Sequence, residues 1–401
     1  MGILIVDDNQ VNLFVIEKIL SRAGYSDYKS FKSAMEMFDY LQIDHPSPVE
    51  KPVDLILMDI MMPEIDGIEA CRRIQETPHL KDIPIIFVTA LEDSNKVAEA
   101  LDVGGLDYVM KPINKTELLA RMRVVLRLKA EKDWHKKQDE KIRNELELSM
   151  QVQTSMLSEP ILHDHILMKA SYLPANTLAG DMYYWYRIDK HRYAAIILDM
   201  MGHGISASLV CMFISSVLRD SIHSCSDPEY VIDELNRWMH TLNSRNHHIP
   251  YYFTAIYTVI DTQKKTVEYV NAGHPAGFAL IDGKEVVALS DRTCAVGFFE
   301  QISVRKTTLS YEHTLQLLLF TDGVEEAVAR HGQESGFLEA AASSLLPAEG
   351  EPIDCILTRE HQTNASDDMC VVLIQAGNHL TENLRYIQKN AWNVPSVFAI
   401  R

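Results

Sequence analysis

Two sets of aspartates close short apolar runs in this chain, and each set suits a different half of phosphate chemistry. In the first, Asp7 and Asp8 follow ILIV, Asp59 follows DLILM, Thr89 follows IIFV, and Lys111 precedes Pro112. A carboxylate accepts a phosphoryl group only where a divalent cation neutralises its charge and that of the incoming phosphate. Asp7, Asp8 and Asp59 offer the oxygen ligands that Mg2+ takes. Lys111 would set a fixed positive charge opposite the new phosphate. Thr89 offers a hydroxyl to bond it once it exists, and Tyr108, on the neighbouring strand end, can follow that motion.

The second set stands at four stations: AGD at 179–181, LDMMGHG at 198–204, FTDGVEEA at 320–327 and SDDMCVVLI at 366–374. Hydrolysis of a phosphomonoester calls for an activated water and shielding of the phosphate charge, which two divalent ions about 3.5–4 Å apart supply together. Such a pair needs carboxylates converging from several strands. One Asp-Gly alone reads as a β-turn. Four stations in one region, three of them led into by apolar runs, point instead to a metal site. Gly202 and Gly204 permit a tight turn that lets the main-chain carbonyl of Met200 reach a metal.

The elements that must position these residues differ between the two halves. Over residues 1–120, the runs ILIV, VDLILM, PIIFV and DYVM alternate with stretches of helical spacing such as NLFVIEKILSRAG and NKVAEALDVGG. Continuously apolar short strands between helices predict a doubly wound parallel α/β sheet, with ligands at the carboxyl ends of its strands. From Lys115 to Leu157 there is neither Pro nor Gly, which predicts one long helix or two. Its apolar stripe is broken by KAEKDWHKKQDEK, read as a solvated face. Beyond Pro160, the runs RYAAIILDM, YYFTAIYTVID, KTVEYVNAG, TLQLLLFTDG and DDMCVVLIQ are interrupted by helical stretches, which predicts an α+β sandwich. The expected boundaries are 1–125, a helical linker at 126–157, a second domain at 158–378, and a C-terminal helix and tail at 379–401 packed on it.

Composition narrows the function classes. The chain has 401 residues, 47% hydrophobic and 23% charged, with a formal charge of −18. That charge disfavours nucleic acid as a partner, and no helix-turn-helix with clustered basic residues is legible. The charge divides as −10 over 1–120, +3 over 121–150 and −11 beyond. The six cysteines lie at least 14 residues apart, so no local redox pair or cysteine zinc site can form. Met1 abuts the first strand and no apolar run approaches the ~18 residues of a membrane span. A cytoplasmic protein is expected.

The first half, with DD at 7–8, DIMMP at 59–63, DG at 66–67, TA at 89–90 and YVMKP at 108–112, resembles a two-component receiver domain. The resemblance implies that a sensor histidine kinase phosphorylates Asp59, that Thr89 and Tyr108 switch, and that a receiver Mg2+ is bound. The stretch from about 145 to 377 resembles the PPM-type serine/threonine phosphatases, in the branch of the sigma-B and sporulation regulators. NAGHP at 271–275, AVGFF at 295–299 and the lead-in ELELSMQVQTSML at 145–157 also match that branch.

By position, the resemblance implies that Asp199 bridges two Mn2+ or Mg2+ ions, with the Met200 carbonyl on one and Asp322 and Asp367 completing the other. Asp181 would hold a bound water or a weaker ion, and Asp368 would stay outside the ligand set. His203 is a candidate general acid, or equally a structural hydrogen bonder of its turn. Asn271 and His274 are expected to shape the site. Tyr184 stands where this branch often has a second aspartate.

The whole is similar to the RsbY-type sigma-B activators of bacilli. That implies a phosphorylated anti-anti-sigma protein as substrate, activation by phosphorylation of Asp59, and a homodimer through the linker helix. The alternatives are a catalytically silent phosphatase-like binding module and a receiver-driven adaptor.

Overall fold

The computed structural model describes residues 2–43, 52–90, 94–163, 165–244, 250–330, 336–362, 366–377 and 380. The chain forms two compact units, residues 1–142 and 143–401.

In the first unit, β1 (Gly2–Val6), α1 (Gln10–Arg22), β2 (Tyr28–Phe31), α2 (Ala34–Leu41), β3 (Val53–Met58), α3 (Gly67–Glu76), β4 (Ile85–Thr89), α4 (Ser94–Asp102) and β5 (Asp107–Met110) alternate along the chain. The strands form a parallel sheet in the order β2-β1-β3-β4-β5. Successive side chains of β1 go to opposite faces: Ile3 and Ile5 join Leu55, Leu57 and α1 residues in one core, while Leu4 and Val6 join Ile56, Met58 and α2 residues in the other. Both faces are covered, which is why the inner strands β1, β3 and β4 are apolar at nearly every position. Each fully buried aliphatic side chain contributes about 1.5–3 kcal/mol.

The parallel register fixes the site. Val6 pairs with Met58, so the residues that follow, Asp7 and Asp59, emerge together at the carboxyl edge. Thr89 pairs with Met110, which puts Lys111 one residue beyond it.

The linker is one helix, α5 (Lys115–Ser155). Its first part buries Leu118, Leu119, Met122, Val125 and Leu126 in the receiver core.

The second unit contains β6 (Ile161–His163), β7 (Ile166–Leu173), β8 (Asp181–Arg187), β9 (Arg192–Met200), α6 (Ile205–Ser224), α7 (Pro228–Asn243), β10 (Phe253–Asp261), β11 (Thr266–Ala272), β12 (Phe278–Ile281), β13 (Glu285–Ala288), β14 (Arg292–Thr293), β15 (Thr307–Ser310), β16 (Thr314–Phe320), α8 (Asp322–Arg330), α9 (Phe337–Ala342), α10 (Arg359–Gln362) and β17 (Met369–Gly377). One sheet runs β14-β11-β10-β9-β8 with β15 beside β11, and the other runs β13-β12-β16-β17-β7-β6. A shared core joins Trp185, Ile197 and Ile256 of the first to Met168, Leu317 and Val372 of the second. Helices α6 and α7 pack on the outer face of the first sheet, and α8 and α9 on that of the second. The predicted α+β sandwich is therefore a four-layer one, flanked by helices.

One expectation needs correction. Helix Ile205–Ser224 is long and apolar enough, by composition alone, to cross a membrane. Its Val210, Cys211, Ile214, Leu218 and Ile222 face the core instead. The short polar Ser206, Ser208, Ser215 and Ser216 hid its apolar character from a search for unbroken runs. The expected C-terminal helix and tail, apart from Leu380, lie outside the described residues.

Candidate functional site

In the receiver, one carboxylate oxygen from each of Asp7, Asp8 and Asp59 lies within 4.8 Å of the others. Asp7 and Asp59 are buried and Asp8 is exposed. The Lys111 ammonium bridges the first two, at 2.8 Å from Asp7 Oδ2 and 2.5 Å from Asp59 Oδ2. Asp7 Oδ1 accepts from the Asn9 N–H and the Asn12 amide, and Asp59 Oδ1 accepts from the Met61 N–H.

Burial raises the Asp59 pKa against the lowering effect of Lys111. Burial opposes the charge on Lys111, yet the hydrogen bonds to Asp59 and Asp7 prevail and its pKa is raised. Thr89 is fully buried at the end of β4, and its carbonyl accepts from the Lys111 N–H at 2.8 Å. Tyr108 is half-buried under the Arg121 guanidinium, which itself binds Asp107 at 2.6 Å. A cluster with two buried carboxylates and one counter-ion carries excess negative charge. Its hard oxygen donors suit Mg2+.

In the second unit, antiparallel pairing sets Asp181 of β8 opposite Asp199 of β9. Pairing of β16 with β17 sets Phe320 opposite Val371, so Thr321 and Asp322 emerge beside Asp367 and Asp368. The two sheets meet at this end: the Thr321 hydroxyl donates to Asp181 Oδ2 at 2.7 Å and accepts from the Cys370 N–H at 3.0 Å. Asp368 accepts from the N–H groups of Ala175 and Gly180, each at 2.8 Å. Each of its oxygens thus holds one backbone N–H. Gly180 is required because a Cβ there would approach the carbonyl oxygens of Gly202 and Met200 at 2.9 and 3.2 Å.

The carboxylates of the cluster oppose one another's ionisation. Burial, then the charges of Asp322 and Asp367, push Asp199 up to about 7. Burial and the Asp199 charge raise Asp181 well above the usual carboxylate range. Burial, Asp367 and Glu326 raise Asp322. Carboxylates that penalise one another's ionisation want positive charge among them. They remain more widely spread than the receiver's three, which form the group gathered within 4.8 Å among the described residues. Oxygen donors of this kind fit Mn2+ or Mg2+.

Gly202 and Gly204 both have positive φ, 80° and 82°. They turn the chain from β9 into α6 just past the buried Met200. His203 is exposed on that turn, near Asp368, whose pKa burial raises against the lowering effect of its bonds to the Ala175 and Gly180 N–H groups. Asn271 locks its own loop, accepting from the His274 N–H at 2.8 Å and donating to the carbonyls of His274 and Leu289. His274 is fully buried, with Nδ1 2.7 Å from the Thr254 hydroxyl. Sequence reasoning passed over Thr321 and Gln153. The TDG triplet signals the first; only tertiary contact reveals the second.

A model of the response regulator receiver domain matches residues 3–123, and one of stage II sporulation protein E matches residues 189–377. The latter begins beyond Asp181. Residues of this chain are 33% identical over 232 positions to the phosphoserine phosphatase RsbP of Bacillus subtilis, covering 58% of each chain. They are 37% identical over 127 positions to the response regulator MprA of Mycobacterium avium, covering 32% of this chain and 51% of that one. The chain thus spans a little over half the length of these curated relatives. The SiaA-PP2C domain of Pseudomonas aeruginosa shares the fold, with a TM-score of 0.50 and 20% identity over 60% of this chain and 98% of that one.

The fold is a five-stranded parallel α/β sheet followed by a two-sheet sandwich like that of the SiaA-PP2C domain. The first half of the chain thus carries a region similar to receiver domains, and the second a region similar to sporulation protein E and to a phosphoserine phosphatase.

Proposed function

We propose that this protein is a response regulator whose output is metal-dependent phosphoserine/phosphothreonine protein phosphatase activity, switched by phosphorylation of Asp59. The observation that carries the reading is the placement of Asp181 opposite Asp199, with Asp322 and Asp367 near enough to raise the Asp199 pKa. Asp199, Asp322, Asp367 and the Met200 carbonyl would hold two Mn2+ or Mg2+ ions, with Asp181 contributing to a weaker site. When bound, the ions would supply an activated water and shield the phosphate. The chain's own residues would do the rest: Thr321 and Asp368 hold the backbone around the ligands, and the exposed His203 would protonate a leaving serine oxygen.

In the receiver, Asp59 would accept the phosphoryl group from a sensor histidine kinase, with Mg2+ on Asp7, Asp8 and Asp59. Lys111 would then leave its bond to Asp59 for the phosphate, with Thr89 and Tyr108 following. The likeness to a phosphoserine phosphatase supports phosphoserine as the substrate group. By the resemblance to the sigma-B regulators, the substrate would be a phosphorylated anti-anti-sigma protein, its dephosphorylation would activate an alternative sigma factor, and the setting would be cytoplasmic. Exposed Trp134, Ile142, Leu148 and Val152 on α5 support a homodimer through the linker. The units would divide functionally as receiver 1–125, linker 126–157 and phosphatase 158–378.

The test is manganese-dependent release of phosphate from a phosphoserine anti-anti-sigma protein, with and without beryllofluoride. Hydrolysis that rises with beryllofluoride in the wild type and vanishes in Asp199→Asn is expected. Equal hydrolysis by Asp199→Asn would overturn the assignment.

A further inference from the structure

The last turn of α5 is hydrogen-bonded to the segment that leads into β8, the strand that opens with Asp181. Gln153 is buried there. Its Nε2 donates to the Ala179 carbonyl at 2.7 Å, and its Oε1 accepts from the Ala179 N–H at 3.2 Å. One primary amide thus closes two bonds on a single residue, two positions before Asp181. The next N–H, of Gly180, is held by Asp368 at 2.8 Å, and the Asp181 carboxylate itself by Thr321 at 2.7 Å.

The chain just beyond Gln153 is anchored to the same strand. Ser158 Oγ accepts from the Trp185 N–H at 2.9 Å and donates to its carbonyl at 3.1 Å. The Trp185 indole donates to the Glu159 carbonyl at 2.8 Å. Arg219 of α6 donates to the Met156 carbonyl at 2.8 Å, with its guanidinium 5.0 Å from the centre of the Tyr184 ring. The tyrosine that replaces an expected aspartate therefore supports the arginine that grips the connector.

We propose that Gln153 is a positioning residue for the divalent-metal site. It holds the Ala179–Asp181 backbone where Asp181 faces Asp199 and passes any displacement of the end of α5 to that carboxylate. A one-residue slide of a helix moves each side chain by about 1.5 Å, which no hydrogen bond of 2.7 to 3.2 Å survives. This inference rests on the metal-dependent reading of the domain.

The experiment uses the full chain and Mn2+ alone as probe, followed by electron paramagnetic resonance and calorimetry. The phosphatase sites are those lost in Asp199→Asn. Gln153→Leu keeps the bulk and removes both hydrogen bonds. It is expected to bind Mn2+ at those sites about tenfold more weakly, with the manganese requirement for phosphoserine hydrolysis raised to match and KM for the phosphoprotein unchanged. Gln151→Ala, at an exposed neighbour, should change neither. A folded Gln153→Leu that binds Mn2+ within twofold of wild type overturns the inference. Should that variant fail to fold, Gln153→Glu, which keeps the acceptor and loses the donor, is read in the same titration with the same two outcomes. Wild-type protein that holds no Mn2+ in the second domain overturns the phosphatase reading and this inference with it. Active wild type beside an indifferent Gln153 variant overturns this inference alone.

Discussion

The hydroxyl of Thr321 donates to Asp181 Oδ2 at 2.7 Å across the gap between the two sheets. One short side chain thereby joins the end of β16 to the first residue of β8. Because the same oxygen accepts from the Cys370 N–H, Thr321 fixes three strands at the acidic end of the sandwich.

Replacing that threonine separates its polar role from its shape. Thr321→Val leaves a buried carboxylate and a buried N–H without their partner, which costs about 1–3 kcal/mol. A thermal melt of the metal-free chain should show the second domain unfolding earlier, and manganese titration should show weaker binding. Thr321→Ser should restore both; a valine variant that melts and binds as wild type does would refute the role.

Asp199 sits among like charges, so its removal should have opposite effects with and without metal. In chelator, Asp199→Asn relieves repulsion and the second domain melts no lower than wild type. With Mn2+ at about 100 times the wild-type Kd, wild type gains about 2.7 kcal/mol by mass action and the variant gains little. Calorimetric melting in both conditions checks this, and an equal shift in the two proteins would count against Asp199 as a ligand.

Lys111 is the ammonium bound to both Asp7 and Asp59. Lys111→Met leaves two buried carboxylates facing each other, and breaking a buried ion pair from one side costs about 3–5 kcal/mol. The receiver of the variant should unfold earlier in chelator and recover more than wild type on adding Mg2+, because the ion replaces the missing charge. Differential scanning calorimetry with and without Mg2+ reads this directly.

Full burial holds the His274 pKa down at about 3, against about 6.5 in an unfolded chain. Between these values the unfolded state takes up a proton that the folded state refuses. Stability is complete above about pH 6.5 and falls as pH drops toward 3, by about 1.4 kcal/mol per pH unit from this group. His274→Gln should be less stable at pH 7 but lose less between pH 7 and pH 5. Parallel urea titrations at the two pH values measure the difference; equal losses would show that His274 does not titrate on unfolding.

Much of the fold was legible because burial on both faces leaves a plain mark. Runs such as ILIV and IIFV can only be interior strands between helices, and the aspartates that end them had to stand at the carboxyl edge. The serines of α6 blurred its apolar face, so its length in hydrophobic terms escaped notice. Gln153, in a polar stretch of helix, looked like any solvated residue.

By itself the sequence determined which residues lie at strand ends, hence the acidic stations at 7–8, 59, 199, 322 and 367, since strand periodicity and turn chemistry are local. Only the tertiary structure decided which of them meet. The pairing of Asp181 with Asp199, the Thr321 bond between sheets and the grip of Gln153 on Ala179 join positions 18, 140 and 26 residues apart. Contacts at such separations depend on register and packing, and no local pattern encodes them.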